Sequence, residues 1–175
     1  MIRFGLILMT ICLCAALVLS ATNKLTQAKI EAQVASEETG ALKEIFPEAD
    51  DFKKDPCDCK RYYQVELKDE LIGYVVKVKA KGYASDIDML VGVDLKGKIK
   101  AIKVISQNET PGLGAKIVEV KPGEDKPWFL RQFEGKKARD LSLENIDAIT
   151  AATITSEAVI NGVKKQVSEF LSKIK

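Results

Sequence analysis

The chain has no histidine, which removes imidazole metal ligands, the CxxCH haem-attachment sequence and every catalytic triad that relies on an imidazole base. Neither sign of charge is in excess: 27 Lys and Arg stand against 25 Asp and Glu, for a net charge of +2, and the two signs alternate along the sequence. With no basic arm and no basic-aromatic stripe, binding to nucleic acid has no support. Aromatic residues make up only 6% of the chain. Paired CxxC motifs are missing, and the lone Cys57-Asp58-Cys59 cannot close a four-ligand metal site by itself. Long apolar runs are also missing, with one exception at the amino terminus.

That exception is Phe4 to Ala21, which carries no charge and follows Arg3. At 1.5 Å per residue it reaches roughly 27 Å, close to the hydrocarbon thickness of a bilayer. Two readings fit, a retained single-pass anchor and a cleaved signal peptide. Retention is favoured because Leu19 occupies the −3 position of a cut after Ala21, where a small residue is needed. Ile11 and Leu13 precede Cys12 and Cys14 where a lipobox needs a small residue, so a lipid anchor is not expected. The 175 residues then hold one globular domain plus this appendage. The expected division is an anchor over 1–22, a helical stalk and linker over 23–60, and a folded domain over 61–175.

Leu25, Ala28, Ala32, Ala35, Leu42 and Ile45 recur among charges, which predicts a helical stalk with a break near Thr39 and Gly40. From Tyr62 the period changes to two. YYQVEL, GYVVKVKAKGY, IDMLVGVD and KIKAIKVIS read as four strands, with turns at Lys68-Asp69 and Lys96-Gly97 making antiparallel hairpins. Trp128, Phe129 and Phe133 form a short aromatic segment after a Lys121–Pro127 loop and are read mainly as core. Val159, Val163, Val167, Phe170 and Ile174 form one apolar stripe, so Ser156 to Ile174 reads as an amphipathic helix capped by Thr153 or Thr155. The fold class is α+β: a single transmembrane helix, then a small antiparallel sheet with a carboxy-terminal helix. Cys57 and Cys59, if extended, lie roughly 6.6 Å apart, near the upper limit for a disulfide. A structural disulfide is favoured over a redox pair or half of a shared metal site.

Two segments carry the chemistry. Asp147 to Ser156, DAITAATITS, sets a carboxylate and several hydroxyls against Ala151 and Ala152 at the start of the last helix. Free amides and the positive end of the helix dipole favour an anion there, and the alanines leave room for a phosphate ester. The same residues also suit a plain helix start. SQNETPGLGAKI, Ser106 to Ile117, leaves the fourth strand; its proline fixes φ and its glycines permit the close backbone approach that a flat ring system requires.

DAITAAT resembles the flavinylation motif of the FMN-binding domain family, and ETPGLG resembles a signature of the flavin-carrying subunits of Rnf-type and Nqr-type ion-translocating redox complexes. The resemblance covers the anchor, the stalk and nearly all of Tyr62 to Lys175, and the Rnf type is the nearer of the two. It implies FMN held by a phosphoester at Thr153, with Asp147 as the acidic recognition residue and Thr150 as the hydroxyl before the small pair Ala151 and Ala152. Family members usually have Gly at the position of Ala151, so a positive φ there would carry strain. Around the ring it implies Glu109 and Thr110 as polar neighbours and Gly112, Leu113 and Gly114 as the close-approach loop. The flavin supplies the redox chemistry, and no catalytic acid, base or nucleophile is expected from the chain. The implied function is single-electron relay in a ferredoxin:NAD oxidoreductase complex, with no stand-alone catalytic activity. The partners would be integral subunits carrying an iron-sulfur cluster, a second flavin subunit and a separate flavin transferase using FAD. The folded domain would lie on the extracytoplasmic side of the cell membrane. An Nqr-type subunit, a small extracytoplasmic flavin reductase and a membrane-anchored scaffold whose threonines only cap a helix remain the alternatives.

Overall fold

The computed structural model describes residues 2–54 and 62–174; Cys57 and Cys59 lie outside the described residues. The chain divides into two compact units, Met1–Glu38 and Thr39–Lys175. In the first, helix α1 (Ile2–Ile45) begins with a stretch, Arg3–Gln27, that is long and apolar enough by length and composition to cross a membrane. Its hydroxyls are turned inward: Thr10 donates to the Leu6 carbonyl and Thr22 to that of Val18, each at 2.9 Å. Such back-bonding satisfies a polar group that lipid could not. Thr39 and Gly40 are helical residues of α1, so the expected break is not formed there.

The second unit is a five-stranded antiparallel meander in sequence order: β1 (Asp51–Lys54), β2 (Tyr62–Leu67), β3 (Glu70–Lys81), β4 (Asp86–Asp94) and β5 (Ile99–Ser106). The four expected strands are present. β1 is an addition, short and lysine-bearing, as edge strands tend to be. Lys68 and Asp69 both take positive φ, 52° and 64°, the backbone of a type I′ hairpin turn. Gly97, at φ 76°, closes the β4–β5 turn, while Asp94 Oδ1 accepts from the Lys96 and Lys98 amides at 2.9 and 2.8 Å.

Both faces of the sheet are covered, which is why β4 is apolar almost throughout instead of alternating. On one face lies helix α3 (Thr153–Ile174), whose Val159, Val163, Val167 and Phe170 pack on Val76, Val78, Met89 and Val91. Phe129 and Phe133, flanking the end of the short helix α2 (Trp128–Arg131), fill the same core edge to face at 5.6 Å. The expected stripe holds except for Ile174, which is 41% exposed at the helix end. On the other face Ala41, Leu42, Ile45 and Phe46 cover Tyr63, Val65, Val75, Leu90 and Ala101. Gly92 makes that approach possible, since a Cβ there would collide with Ile45. The last turns of α1 are thus core of this unit.

Candidate functional site

The segment after β5 is built by two local rules. Thr110-Pro111-Gly112-Leu113 is a β-turn closed by the Leu113 amide on the Thr110 carbonyl at 3.1 Å, with Gly112 at φ 76°. Pro at the second position and a positive-φ Gly at the third make a type II turn. Nothing lies within 4 Å of a Cβ added to Gly112, so dihedral freedom is its role. Gly114 has the opposite reason: a Cβ there would lie 2.6 Å from Glu109 Oε2 and 2.7 Å from Thr155 Oγ1. Close approach is thus required at one of the two glycines, and the approach is to other protein atoms.

Those atoms belong to a buried clamp. Glu109 is 4% exposed. Its Oε1 accepts from the amides of Ala84 and Ser85, both at 2.9 Å, and from the Ser85 hydroxyl at 3.4 Å. Oε2 accepts from the Thr155 hydroxyl at 2.6 Å and from the Tyr83 amide at 3.2 Å. One carboxylate therefore ties the β3–β4 turn to the first turn of α3. Burial pushes the Glu109 carboxyl up, but the hydrogen bonds from Thr155, Ser85, Ala84 and Tyr83 outweigh it and leave the group below its ordinary value.

Before α3, Ile149 to Ala152 form another turn, closed by the Ala152 amide on the Ile149 carbonyl at 2.9 Å. Ala151 sits at its third position with φ 62°. That conformation favours glycine, and the strain anticipated at this alanine is present. Ser156 locks the turn: fully buried, its hydroxyl accepts from the Ile149 amide at 2.9 Å and donates to the Ala152 carbonyl at 3.0 Å. The helix begins at Thr153, three residues before the expected Ser156, with Ala152 in the capping position because its carbonyl accepts the first helical amide, that of Ser156. Neither threonine caps it. The amides of Thr153, Ile154 and Thr155 precede the first intrahelical bond and so have no partner within the helix, the kind of donor that suits an anion.

Glu109, Thr110, Leu113, Gly114, Ala151, Ala152 and Thr153 line one cleft of about 470 Å³, joined by Tyr83, Ile154 and Thr155. That volume falls among small-molecule sites. Asp147, Thr150 and Gly112 do not line it. Asp147 is exposed, its backbone held by Gln132 through bonds of 2.7 and 3.2 Å. Glu109 lines the cleft with both oxygens already accepting from protein donors. None of Trp128, Phe129 and Phe133 reaches the cleft. Its aromatic is Tyr83, 72% exposed at the β3–β4 turn, which its position beside Gly82 in a hairpin tip did not distinguish from an ordinary turn residue. Thr153 is exposed, whereas Thr155 is buried and committed to Glu109.

Residues 82–168 match the FMN-binding domain family, and residues 1–45 match the RnfG N-terminal region. The two last strands, the loop after β5 and the start of α3 thus fall within the FMN-binding domain match. The chain is 34% identical to the G subunit of the Na(+)-translocating ferredoxin:NAD(+) oxidoreductase complex of Acetobacterium woodii, covering 98% of this chain and 93% of that protein. It is 33% identical to the G subunit of the proton-translocating ferredoxin:NAD(+) oxidoreductase complex of Clostridium ljungdahlii, covering 90% and 85%. The crystal structure of Shewanella oneidensis NqrC superposes with a TM-score of 0.50 at 21% identity over 73% of each chain, a likeness of fold. The chain belongs to the RnfG family, the G subunits of ion-translocating oxidoreductase complexes.

Proposed function

We propose that this subunit relays single electrons through FMN joined by a phosphoester to Thr153, within a membrane-bound ferredoxin:NAD oxidoreductase complex that couples the transfer to ion movement. The observation that carries the proposal is the contrast among the threonines of one motif. Thr153 is exposed and lines the cleft, Thr155 is buried and donates to Glu109, and Thr150 is exposed but outside the cleft. Thr153 opens the first turn of α3, whose amides without helical partners and positive dipole end suit a phosphodiester monoanion. The residues present therefore fit the group.

FMN, when bound, supplies the one- and two-electron chemistry. The chain holds the phosphate end at the start of α3, and walls the cleft with the Thr110–Gly114 turn and Tyr83. Attachment is assigned to a separate transferase that uses FAD: Thr153 Oγ1 bonds to the FMN phosphorus, the pyrophosphate P–O bond breaks, AMP leaves with the electron pair, and the hydroxyl proton passes to the transferase or solvent. Exposure of Asp147 and Thr150 beside the attachment point supports their recognition by that enzyme. A covalent ester makes occupancy independent of free FMN, which suits a domain on the extracytoplasmic side, held by an anchor within residues 1–22. Electrons would come from an iron-sulfur cluster in integral subunits and pass to the flavin of a neighbouring subunit.

The test is flavin fluorescence in a denaturing gel after co-expression with a flavin transferase. A band that survives boiling, disappears in Thr153→Ala and persists in Thr155→Val is expected. A wild-type chain with no band, or a band retained in Thr153→Ala, refutes the assignment.

A further inference from the structure

We propose that Glu109 sets the reduction potential of the bound flavin low, through the field of a buried negative charge fixed in the wall of its cleft. This rests on the reading that FMN occupies the cleft at Thr153. Among the described residues lining that cleft, Glu109 is the sole charged side chain. No salt bridge reaches it among the described residues. Its donors are three amides and two hydroxyls, which stabilise the ionised form without cancelling its charge. The start of α3, equivalent to roughly half an elementary charge, offsets only part of a full carboxylate charge in the lining of the cleft.

An electron added to the flavin brings negative charge into this field, and a fixed carboxylate opposes it. Water weakens such an effect strongly at a surface, and much less in a buried wall. Glu109 itself exchanges no electron and no proton: the electron arrives from one partner subunit and leaves to another. The rigidity of the clamp matters as well. With both oxygens engaged and the Gly114 backbone packed against Oε2, the carboxylate cannot swing away as the ring charges. A low potential set in this way suits a relay that accepts from a strong reductant.

The experiment is a spectroelectrochemical titration of the full-length, flavin-loaded chain in detergent, comparing wild type with Glu109→Gln and Thr155→Val. Glu109→Gln removes the charge and keeps the shape. The equilibrium between reduced and oxidised flavin is expected to move at least tenfold toward the reduced form, which is about 59 mV or more upward for a one-electron couple. Thr155→Val removes a donor and leaves the charge less compensated, so the potential is expected to fall. Opposite signs distinguish a field from loosened structure, which would move both variants the same way. A Glu109→Gln shift under tenfold, or a Thr155→Val potential that is unchanged or raised, overturns the proposal. Should Glu109→Gln fail to fold, Thr155→Val decides alone by the same criterion. Absence of covalent flavin from the wild-type chain, seen in the gel beforehand, would instead bring down the underlying reading and this inference with it.

Discussion

Replacing Ala151 with glycine should stabilise the domain, although it deletes atoms and adds no contact. Ala151 holds φ at 62° as the third residue of the turn that delivers Thr153 to the start of α3. A Cβ in the left-handed region costs roughly 1–2 kcal/mol through its clash with the following carbonyl. Glycine removes that cost, but loosens the unfolded chain by roughly 0.5–1 kcal/mol. The net gain is about 0.5–1 kcal/mol, since the side chain is exposed and gives up little burial. For a unit of this size, that corresponds to a rise in Tm of about 2–4 °C. Thermal unfolding of the full chain in detergent, followed by near-ultraviolet circular dichroism, measures it. Ala152→Gly is the control: 7% exposed and with no positive φ, it loses a buried methyl and should lower Tm. A drop in Tm for Ala151→Gly, or an equal rise for the control, would refute the strain argument.

Ser156→Ala leaves the buried Ile149 amide without its acceptor and should cost about 1–3 kcal/mol, read as a lowered urea midpoint at unchanged slope. Gly114→Ala drives a methyl between Glu109 and Thr155; a loss of about 1–3 kcal/mol is expected together with reduced flavin loading per chain. The Glu109 carboxyl titrates below its ordinary value near 4.5, so the folded state binds fewer protons than the unfolded one in that range. Its contribution is fully present above about 4.5 and is lost as pH falls through the lower folded value. Glu109→Gln should therefore flatten the acid limb of stability against pH, and an unchanged limb in urea titrations below about pH 5 would count against the clamp.

The strands were legible because alternation and turn chemistry agreed: Lys68-Asp69 and Gly97 stand where period-two runs break. β1 was not legible, because Phe52 is its one apolar residue and its pairing with β2 is decided by the sheet edge rather than by local preference. Thr39-Gly40 reads locally as a helix break, yet Ala41, Leu42, Ile45 and Phe46 gain a buried face on the sheet, and tertiary packing outweighs propensity. At the cleft, the motif residues pointed to Thr153, which lines it, and to the positive φ of Ala151. What stayed hidden was the bond from Thr155 to Glu109, which joins residues 46 positions apart. No local pattern encodes a contact that distant. Without it, nothing in the residues themselves shows that Thr155 is buried against Glu109 while Thr153 is exposed.

The burial of Ala41 to Phe46 against β2, β3 and β4 has a practical outcome for anyone wanting a water-soluble fragment. Trimming at the obvious seam, where the period-two strands start near Tyr62, would strip a hydrophobic lid from Val65, Val75 and Leu90 and leave a greasy, aggregating surface. Cutting upstream of Thr39 keeps that lid and discards the lipophilic tail together with the polar stretch that follows it.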